Sequence, residues 1–215
     1  ARFSKSCGGV SEVFESCWAD VHYPYLERVV DSQQTTDNRQ QSMDLTIEAN
    51  AEAWIRSEYD SFCNTHDKEI LSQVLNNYDQ ETTDFYRWTV EYTTEQLSEL
   101  VARRSGIDFG TITALEPVER GTSGRLTRLR IVGTKRTMIV GKELEIRRWL
   151  SESHLYSSAF VVDKTEKGFV LTGAGWGHGV GLCQIGAAVM GAKGYKYDEI
   201  LYHYFVGSQL NILYK

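Results

Sequence analysis

Residues 173–187, with the sequence GAGWGHGVGLCQIGA, contain six glycines in fifteen positions. Glycine loses more conformational freedom on folding than any other residue, so such a run needs a reason in close backbone approach or positive φ angles. The same run carries His178, Cys183 and Gln184, three side chains that react or form hydrogen bonds. The run therefore predicts a functional site. The chemistry of that site is limited to what an imidazole, a thiol and an amide can do.

Composition excludes several classes of protein. The chain has 215 residues and 41% hydrophobic residues, enough for one large domain or two small ones with a core that needs no metal to fold. Its net charge of −6 argues against binding to nucleic acid or anionic lipid. It contains no run of eighteen apolar residues, so we expect no membrane span.

The hydrophobic pattern predicts an α+β fold with mainly antiparallel strands and flanking helices, because no regular βαβ rhythm is present. Residues 32–45 are polar and predict a loop, and residues 46–78 have a helical pattern with a second helix start at Thr65. Further along, the pattern predicts strands at 85–93, 112–119, 124–132 and 135–140, helices at 94–105 and 141–150, a hairpin turning at 164–168, two helices broken at Gly194, and a last strand at 209–215.

Three kinds of site fit the glycine-rich run. It contains the spacing GxGxxG of a phosphate loop, but the βαβ unit, the acidic ribose-binding residue and the Walker lysine are missing. Cys183 and His178 could form a thiolate–imidazole pair, although a buried structural cysteine is the commoner case. Alternatively, the glycines form the wall of a groove, where His178 and Gln184 bind the hydroxyl and acetamido groups of a polymer.

Two motifs favour the third interpretation. The segment GWGHGVGLCQIGA closely resembles the signature GxGxGHGVGxSQxGA of the stage II sporulation protein D (SpoIID) domain family. Residues 4–12, SKSCGGVSE, look like that family's SSCGGxTE. The intervening stretches WTVEYTTEQL, SGRLTRLRIVG and SSAFVV, and the ending YDEILYHYFVGSQL, also follow the family's order. The resemblance covers nearly the whole chain except residues 32–84.

The resemblance implies a protein that acts on peptidoglycan outside the cytoplasm, in the periplasm or cell envelope. Characterised members of the SpoIID family are lytic transglycosylases, in which a carboxylic acid protonates the glycosidic oxygen and the sugar's own 6-hydroxyl closes an anhydro ring. Relatives include enhancers of cell-wall amidases. The partners implied are glycan strands and, in addition, the protein's own N-terminal segment or other cell-wall hydrolases.

The sequence departs from the family at the catalytic acid. The family's glutamate lies near a pattern EALKAQAVAARTYA upstream of the SxCGG motif, and its zinc-type His/Cys cluster is upstream as well. Neither pattern occurs here, so we expect a C-terminal portion of a longer protein that has no metal or other cofactor and does not cleave glycans alone. Glu12, within the first motif, is the substitute catalytic carboxylate. A noncatalytic wall-binding or amidase-enhancing module is the alternative, and a thiol enzyme centred on Cys183 is a third.

These inferences define the predicted organisation. Residues 1–215 form a SpoIID-like region lacking its N-terminal part, with a helical insertion at 32–84, a strand-rich subdomain at 85–172, and the glycine-rich motif with C-terminal helices at 173–215. The residues predicted to line a shared substrate groove are Ser6, Cys7, Gly8, Gly9, Gly177, His178, Gly179, Cys183 and Gln184.

The cysteines outside the two motifs are Cys17 and Cys63. Since disulfides persist outside the cytoplasm, we expect a Cys17–Cys63 bond that ties the insertion to the core. Two free buried thiols are one alternative. A metal held by Cys17, Cys63 and His66 is another, although no fourth ligand is evident.

Overall fold

A computed structural model describes residues 1–32, 43–74 and 84–211. The strands in these ranges are β1 (Phe3–Ser4), β2 (Arg87–Thr93), β3 (Ile112–Arg120), β4 (Leu126–Gly133), β5 (Thr137–Val140), β6 (Phe160–Lys164), β7 (Gly168–Ala174) and β8 (Leu182–Cys183). The helices are α1 (Phe14–Cys17), α2 (Glu48–Arg56), α3 (Lys68–Val74), α4 (Thr94–Ser105), α5 (Glu143–Trp149), α6 (Gln184–Ala192) and α7 (Tyr197–Tyr204).

The strands form three small sheets. One has the order β2-β7-β6 and another the order β3-β4-β5, and both are antiparallel. The third is a short parallel pair of β1 and β8, with Phe3 opposite Leu182. This pair joins the start of the chain to the glycine-rich segment. The predicted α+β class with mainly antiparallel strands is confirmed.

The largest apolar cluster involves both three-stranded sheets and helices α4 and α5. Leu97, Leu129, Ile131, Phe160 and Leu171 are all fully buried in it. Removing each such side chain from water contributes about 1.5–3 kcal/mol. This cluster packs the two sheets and helices α4 and α5 against one another, next to the point where the chain leaves β7.

A second apolar cluster packs around α3, α6 and α7. It includes Phe62, Phe85, Ile185 and Tyr204, together with three cysteine thiols. Its members come from the start of the chain, from the region around residue 62, and from the end of the glycine-rich run. The second cluster therefore brings together parts of the chain that the sequence keeps far apart.

Several elements follow directly from local sequence. Helix α4 begins with a capping box in which Thr93 accepts from the Gln96 backbone N–H and Gln96 accepts from that of Thr93. It ends at Gly106, whose φ of 73° is left-handed. The predicted hairpins, the short helix after residue 141 and the break between the last two helices are also confirmed.

Other expectations need correction. The helical prediction for residues 46–78 is partly wrong, because α2 ends at Arg56 and residues 57–67 are not helical. The second helix, predicted to start at Thr65, begins at Lys68, where Asp67 accepts from backbone N–H groups, and residues 75–78 lie outside the described ranges. Residues 209–211 form no strand, and residues 212–215 lie outside the described ranges. Most of the predicted loop, residues 33–42, also lies outside them. None of the helices among the described residues is both long and apolar enough to cross a membrane.

Candidate functional site

The two motifs of the sequence pair with each other through their backbones. Ser6 N–H donates to the Trp176 carbonyl at 3.1 Å, and Trp176 N–H donates to the Ser6 carbonyl at 2.8 Å. Glu12 N–H donates to the Gly179 carbonyl at 3.0 Å, next to a parallel bridge with Val180. The two segments thus form one structural unit.

Glycine is needed where these segments meet. Gly8 has a φ of 76°, and a Cβ on it would lie 2.7 Å from the Gly175 nitrogen. A Cβ on Gly175 would in turn lie 2.9 Å from both the Gly8 nitrogen and the Arg125 guanidinium. Because real Cβ atoms do not approach other atoms so closely, any side chain here would push the motifs apart.

Arg125 occupies the centre of the unit and is 1% exposed. Its guanidinium donates to the Gly177 carbonyl at 3.2 Å, the Cys7 carbonyl at 3.3 Å and the Ser123 hydroxyl at 2.9 Å. A buried cation must have its donors satisfied, and here the backbone carbonyls of both motifs do so. The glycine-rich run therefore surrounds the side chain of an arginine that comes from the β3–β4 turn.

Glu12 has a structural role that differs from the predicted catalytic one. It is 0% exposed, and its carboxylate accepts from the backbone N–H and hydroxyl groups of Thr122 and Ser123, at 2.7–3.1 Å, and from Val13 N–H. A general acid must reach the leaving oxygen of the substrate. Glu12 instead holds the β3–β4 turn against the first motif, and its role as the substitute acid stays a prediction that this burial argues against.

His178 is one of two polar side chains of the second motif that remain partly exposed, the other being Gln184. Its Nδ1 accepts from Val180 N–H at 3.0 Å, and its ring meets Trp18 edge-to-face at 4.7 Å. Burial, followed by the positive charge of Arg125, lowers the pKa of His178 to about 4. The imidazole is therefore neutral at physiological pH and can form hydrogen bonds without carrying charge.

The predicted groove is only partly present at the surface. The residues that are buried are Ser6, Cys7, Gly8, Gly9, Gly179 and Cys183. Gly177, His178 and Gln184 are partly exposed. The six buried residues hold the two motifs together. Of the nine predicted groove residues, only Gly177, His178 and Gln184 can contact a substrate in this conformation.

Two further partly exposed side chains, Trp176 and Tyr156, adjoin Gly177, whose N–H donates to the Tyr156 carbonyl at 2.7 Å. Trp176 is partly exposed, lies 4.4 Å from the Tyr156 ring and has the Lys5 ammonium 5.0 Å above it. We call Tyr156, Trp176, His178 and Gln184 the motif surface. It combines ring faces with groups that form hydrogen bonds, as sugar-binding surfaces do.

A cluster of three thiols and a carboxylate lies beneath the paired motifs. The ligand atoms of Cys7, Asp31, Cys63 and Cys183 all lie within 4.8 Å of one another, and all four residues are buried. The sulfurs of Cys7 and Cys63 are 3.7 Å apart. This set corrects the predicted Cys17–Cys63 disulfide, because Cys63 faces Cys7. Cys17 packs with Phe14 and donates to the His178 carbonyl.

The cluster also argues against the predicted catalytic thiol at Cys183. Burial raises the pKa of Cys183 and of Cys7 well above the ordinary value. Burial acts in the same direction on Cys63, but hydrogen bonds with Cys183, Cys7, Ser61 and Asp31 together outweigh it and lower the pKa of Cys63. His178 does not pair with Cys183, since its Nδ1 is bonded to Val180 N–H and the Cys183 thiol lies against Cys7 N–H and the Lys5 carbonyl.

Residues 12–181, most of the chain, match a protein family described as a domain of unknown function, DUF8618. The chain belongs to the DUF8618 family. A curated relative, the uncharacterized protein BHWA1_00569 of Brachyspira hyodysenteriae, is 36% identical over 85 residues. Those residues are 40% of this chain and 22% of the relative, so the chain matches less than a quarter of that protein. The resemblance to the SpoIID family stays a prediction.

Sequence reasoning missed four residues of the site in this DUF8618 chain, among them Tyr156, which lies outside both motifs in the sequence. Trp176 stands inside the glycine-rich motif, where its position between two glycines was a usable signal. Arg125 and Asp31 carried no local signal, because nothing in their sequence neighbourhoods shows which backbone or thiols they meet. Both are found only when the fold brings distant segments together.

Proposed function

We propose that this chain binds peptidoglycan glycan strands outside the cytoplasm through the motif surface, and that it does not itself supply the acid that cleaves them. The observation that carries the proposal is the direct pairing of residues 4–12 with residues 173–187. These are the two segments whose sequences resemble the SpoIID family. Their pairing is what a shared site requires.

The chemistry of the motif surface suits an N-acetylated glycan. The partly exposed rings of Trp176 and Tyr156 can pack against the apolar CH face of a sugar ring. The amide of Gln184 can donate to and accept from hydroxyl and acetamido groups. The neutral imidazole of His178 can act only as a donor, through Nε2–H, because its Nδ1 already accepts from Val180 N–H. None of these groups is an acid that could protonate a glycosidic oxygen.

The environment of Glu12 supports the noncatalytic part of the proposal. Its carboxylate is buried and already accepts hydrogen bonds from three neighbouring residues. A glycosidase needs a carboxylic acid at the leaving oxygen. A binding domain that works with its own N-terminal segment, or with a separate cell-wall hydrolase or amidase, fits this arrangement.

Cosedimentation with purified sacculi and with glycan strands stripped of peptides tests the proposal. We expect both to retain the chain and Trp176→Ala to weaken binding about tenfold, equivalent to about 1.4 kcal/mol. Tyr197→Ala is the matched control, because Tyr197 is 73% exposed and lies outside the motif surface. Thermal melts establish that both variants fold. Equal binding by the two folded variants would exclude the motif surface.

A further inference from the structure

We propose that Cys7, Asp31, Cys63 and Cys183 bind one Zn²⁺ ion. Sequence spacing predicts no metal site, because the four residues are separated by 23, 31 and 119 intervening positions (8–30, 32–62 and 64–182). The structure nevertheless brings one ligand atom from each into a single buried group. Four ligands of this kind are what a structural zinc site requires.

The distances fit a tetrahedral ion. A Zn–S bond of about 2.3 Å places two sulfurs of a tetrahedron about 3.8 Å apart. The sulfurs of Cys7 and Cys63 are 3.7 Å apart. The remaining ligand atoms lie within 4.8 Å of one another, so closure around an ion needs movements of about 1 Å or less.

The donor set favours zinc over other metals. Thiolates bind zinc and other soft ions, whereas Ca²⁺ and Mg²⁺ prefer sites made entirely of oxygen. A carboxylate as the fourth ligand suits zinc, which accepts Asp oxygens at about 2.0–2.2 Å. On binding, each thiol releases its proton to solvent and its sulfur lone pair forms the bond to the metal.

Surrounding groups orient these ligands. Cys7 N–H donates to the Cys183 sulfur at 3.2 Å, and Cys63 N–H donates to Asp31 Oδ2 at 3.0 Å. The Tyr204 hydroxyl donates to Asp31 Oδ1 at 2.6 Å, and the Ser61 hydroxyl donates to Oδ2 at 3.2 Å. Hydrogen bonds to ligating sulfurs and carboxylates are a regular feature of metal sites, because they fix the ligands before the ion arrives.

The burial of all four ligands indicates a structural zinc site and not a catalytic one. Asp31 is 1% exposed, Cys7 is 2% exposed, and Cys63 and Cys183 are 0% exposed. Four protein ligands leave no open position for water or substrate, unlike a catalytic zinc site. The ion would join the first motif, the segment preceding residue 32, the region around residue 63 and the start of α6.

Metal analysis of the purified 215-residue chain tests the site directly. After exposure to excess Zn²⁺ and removal of free ion, we expect one zinc per chain by elemental mass spectrometry. Replacement by Co²⁺ should give thiolate-to-cobalt charge-transfer absorption together with the visible bands of tetrahedral cobalt. Less than about 0.2 zinc per chain, or a cobalt complex without thiolate bands, would overturn the proposal.

Variants locate the ion. Cys63→Ser and Asp31→Asn each remove one ligand, and we expect zinc affinity to fall by more than the about 100-fold that loss of a supporting residue can cause. Cys17→Ser is the matched control, because Cys17 is also a buried free thiol but lies outside the cluster. If Cys17→Ser lowers zinc affinity as much as Cys63→Ser, the assignment of ligands is wrong. The cobalt spectrum of the unaltered chain shows whether thiolates bind the metal, and this result does not depend on how the variants fold.

Discussion

The Arg125 guanidinium fills the space into which a side chain at Gly179 would extend. A Cβ built on Gly179 lies 2.4 Å from Arg125 Cζ, well inside van der Waals contact. Gly179 also has a φ of 81°, in the left-handed region that side chains rarely adopt. Residue 179 must therefore be glycine if Arg125 is to reach the carbonyls of both motifs.

Gly179→Ala should destabilise the fold strongly. Left-handed strain costs about 1–2 kcal/mol and overpacking about 1–3 kcal/mol, so we expect the free energy of unfolding to fall by about 2–5 kcal/mol. Gly191→Ala is the control. Gly191 lies in α6 with no atom within 4 Å of a built Cβ, and alanine there should stabilise by about 0.5–1 kcal/mol. Urea denaturation of both variants measures the difference.

Glu12→Gln should lower the free energy of unfolding. A glutamine amide would direct N–H groups at the backbone N–H donors of Thr122 or Ser123, leaving buried donors unpaired. We expect a loss of about 2–4 kcal/mol in the free energy of unfolding. Glu166→Gln, in the exposed β6–β7 turn, should change it by less than about 0.5 kcal/mol. A folded Glu12→Gln chain of unchanged stability would contradict the structural role.

The fold was largely predictable because its signals are local. Alternation in residues 87–93, the cap at Thr93 and the glycine at 106 each act within a few positions, and the structure follows them. The helical pattern of residues 46–78 failed after Arg56, where Tyr59 leaves the helix and stacks at 4.2 Å on Trp54 of α2, while the second helix starts near the predicted Thr65, at Lys68. There, tertiary packing determined where the helices end.

The site was predictable only in part. The two motifs predicted each other as neighbours, because each resembles one half of a known pair. Which side chains face outward was not predictable, since Arg125 and Glu12 occupy the interior that the glycines leave open. The cluster of three thiols and one carboxylate could not be predicted, because the positions of its four residues in the sequence match no known metal-binding motif.

His178 should make stability depend on pH. Its pKa in the folded chain, about 4, is below its ordinary value of 6.5, so the unfolded chain takes up the proton first. The contribution of His178 to the free energy of unfolding is complete above pH 6.5 and is lost as the pH falls from 6.5 toward 4. With about 1.4 kcal/mol per pKa unit, it reaches about 2–3 kcal/mol after allowing for partial exposure.

The difference between the unaltered chain and His178→Gln isolates this effect, because other groups titrate in both. We expect the slope of unfolding free energy against pH between 6.5 and 4 to be smaller in the variant. His66→Gln, which removes an exposed histidine, should leave the slope unchanged. Identical slopes in all three proteins would show that His178 titrates normally.

Removal of zinc should lower thermal stability. An ion that binds only the folded chain stabilises it by about 4 kcal/mol when its free concentration is 1,000 times the Kd. We therefore expect a strong chelator to lower the Tm of the zinc-loaded chain, and added zinc to restore it. The chelator should leave the Tm of Cys63→Ser unchanged, provided that this variant folds. A Tm of the unaltered chain that does not respond to chelator or zinc would contradict a structural ion.

Binding and integrity of peptide-free glycan strands, measured on the same sample, test the central claim most directly. The chain is titrated with strands of defined length, and the strands are then analysed by mass spectrometry. The account predicts saturable binding that weakens in Trp176→Ala, with strands that keep their length. Absence of binding, or release of fragments ending in anhydro sugars, would contradict it.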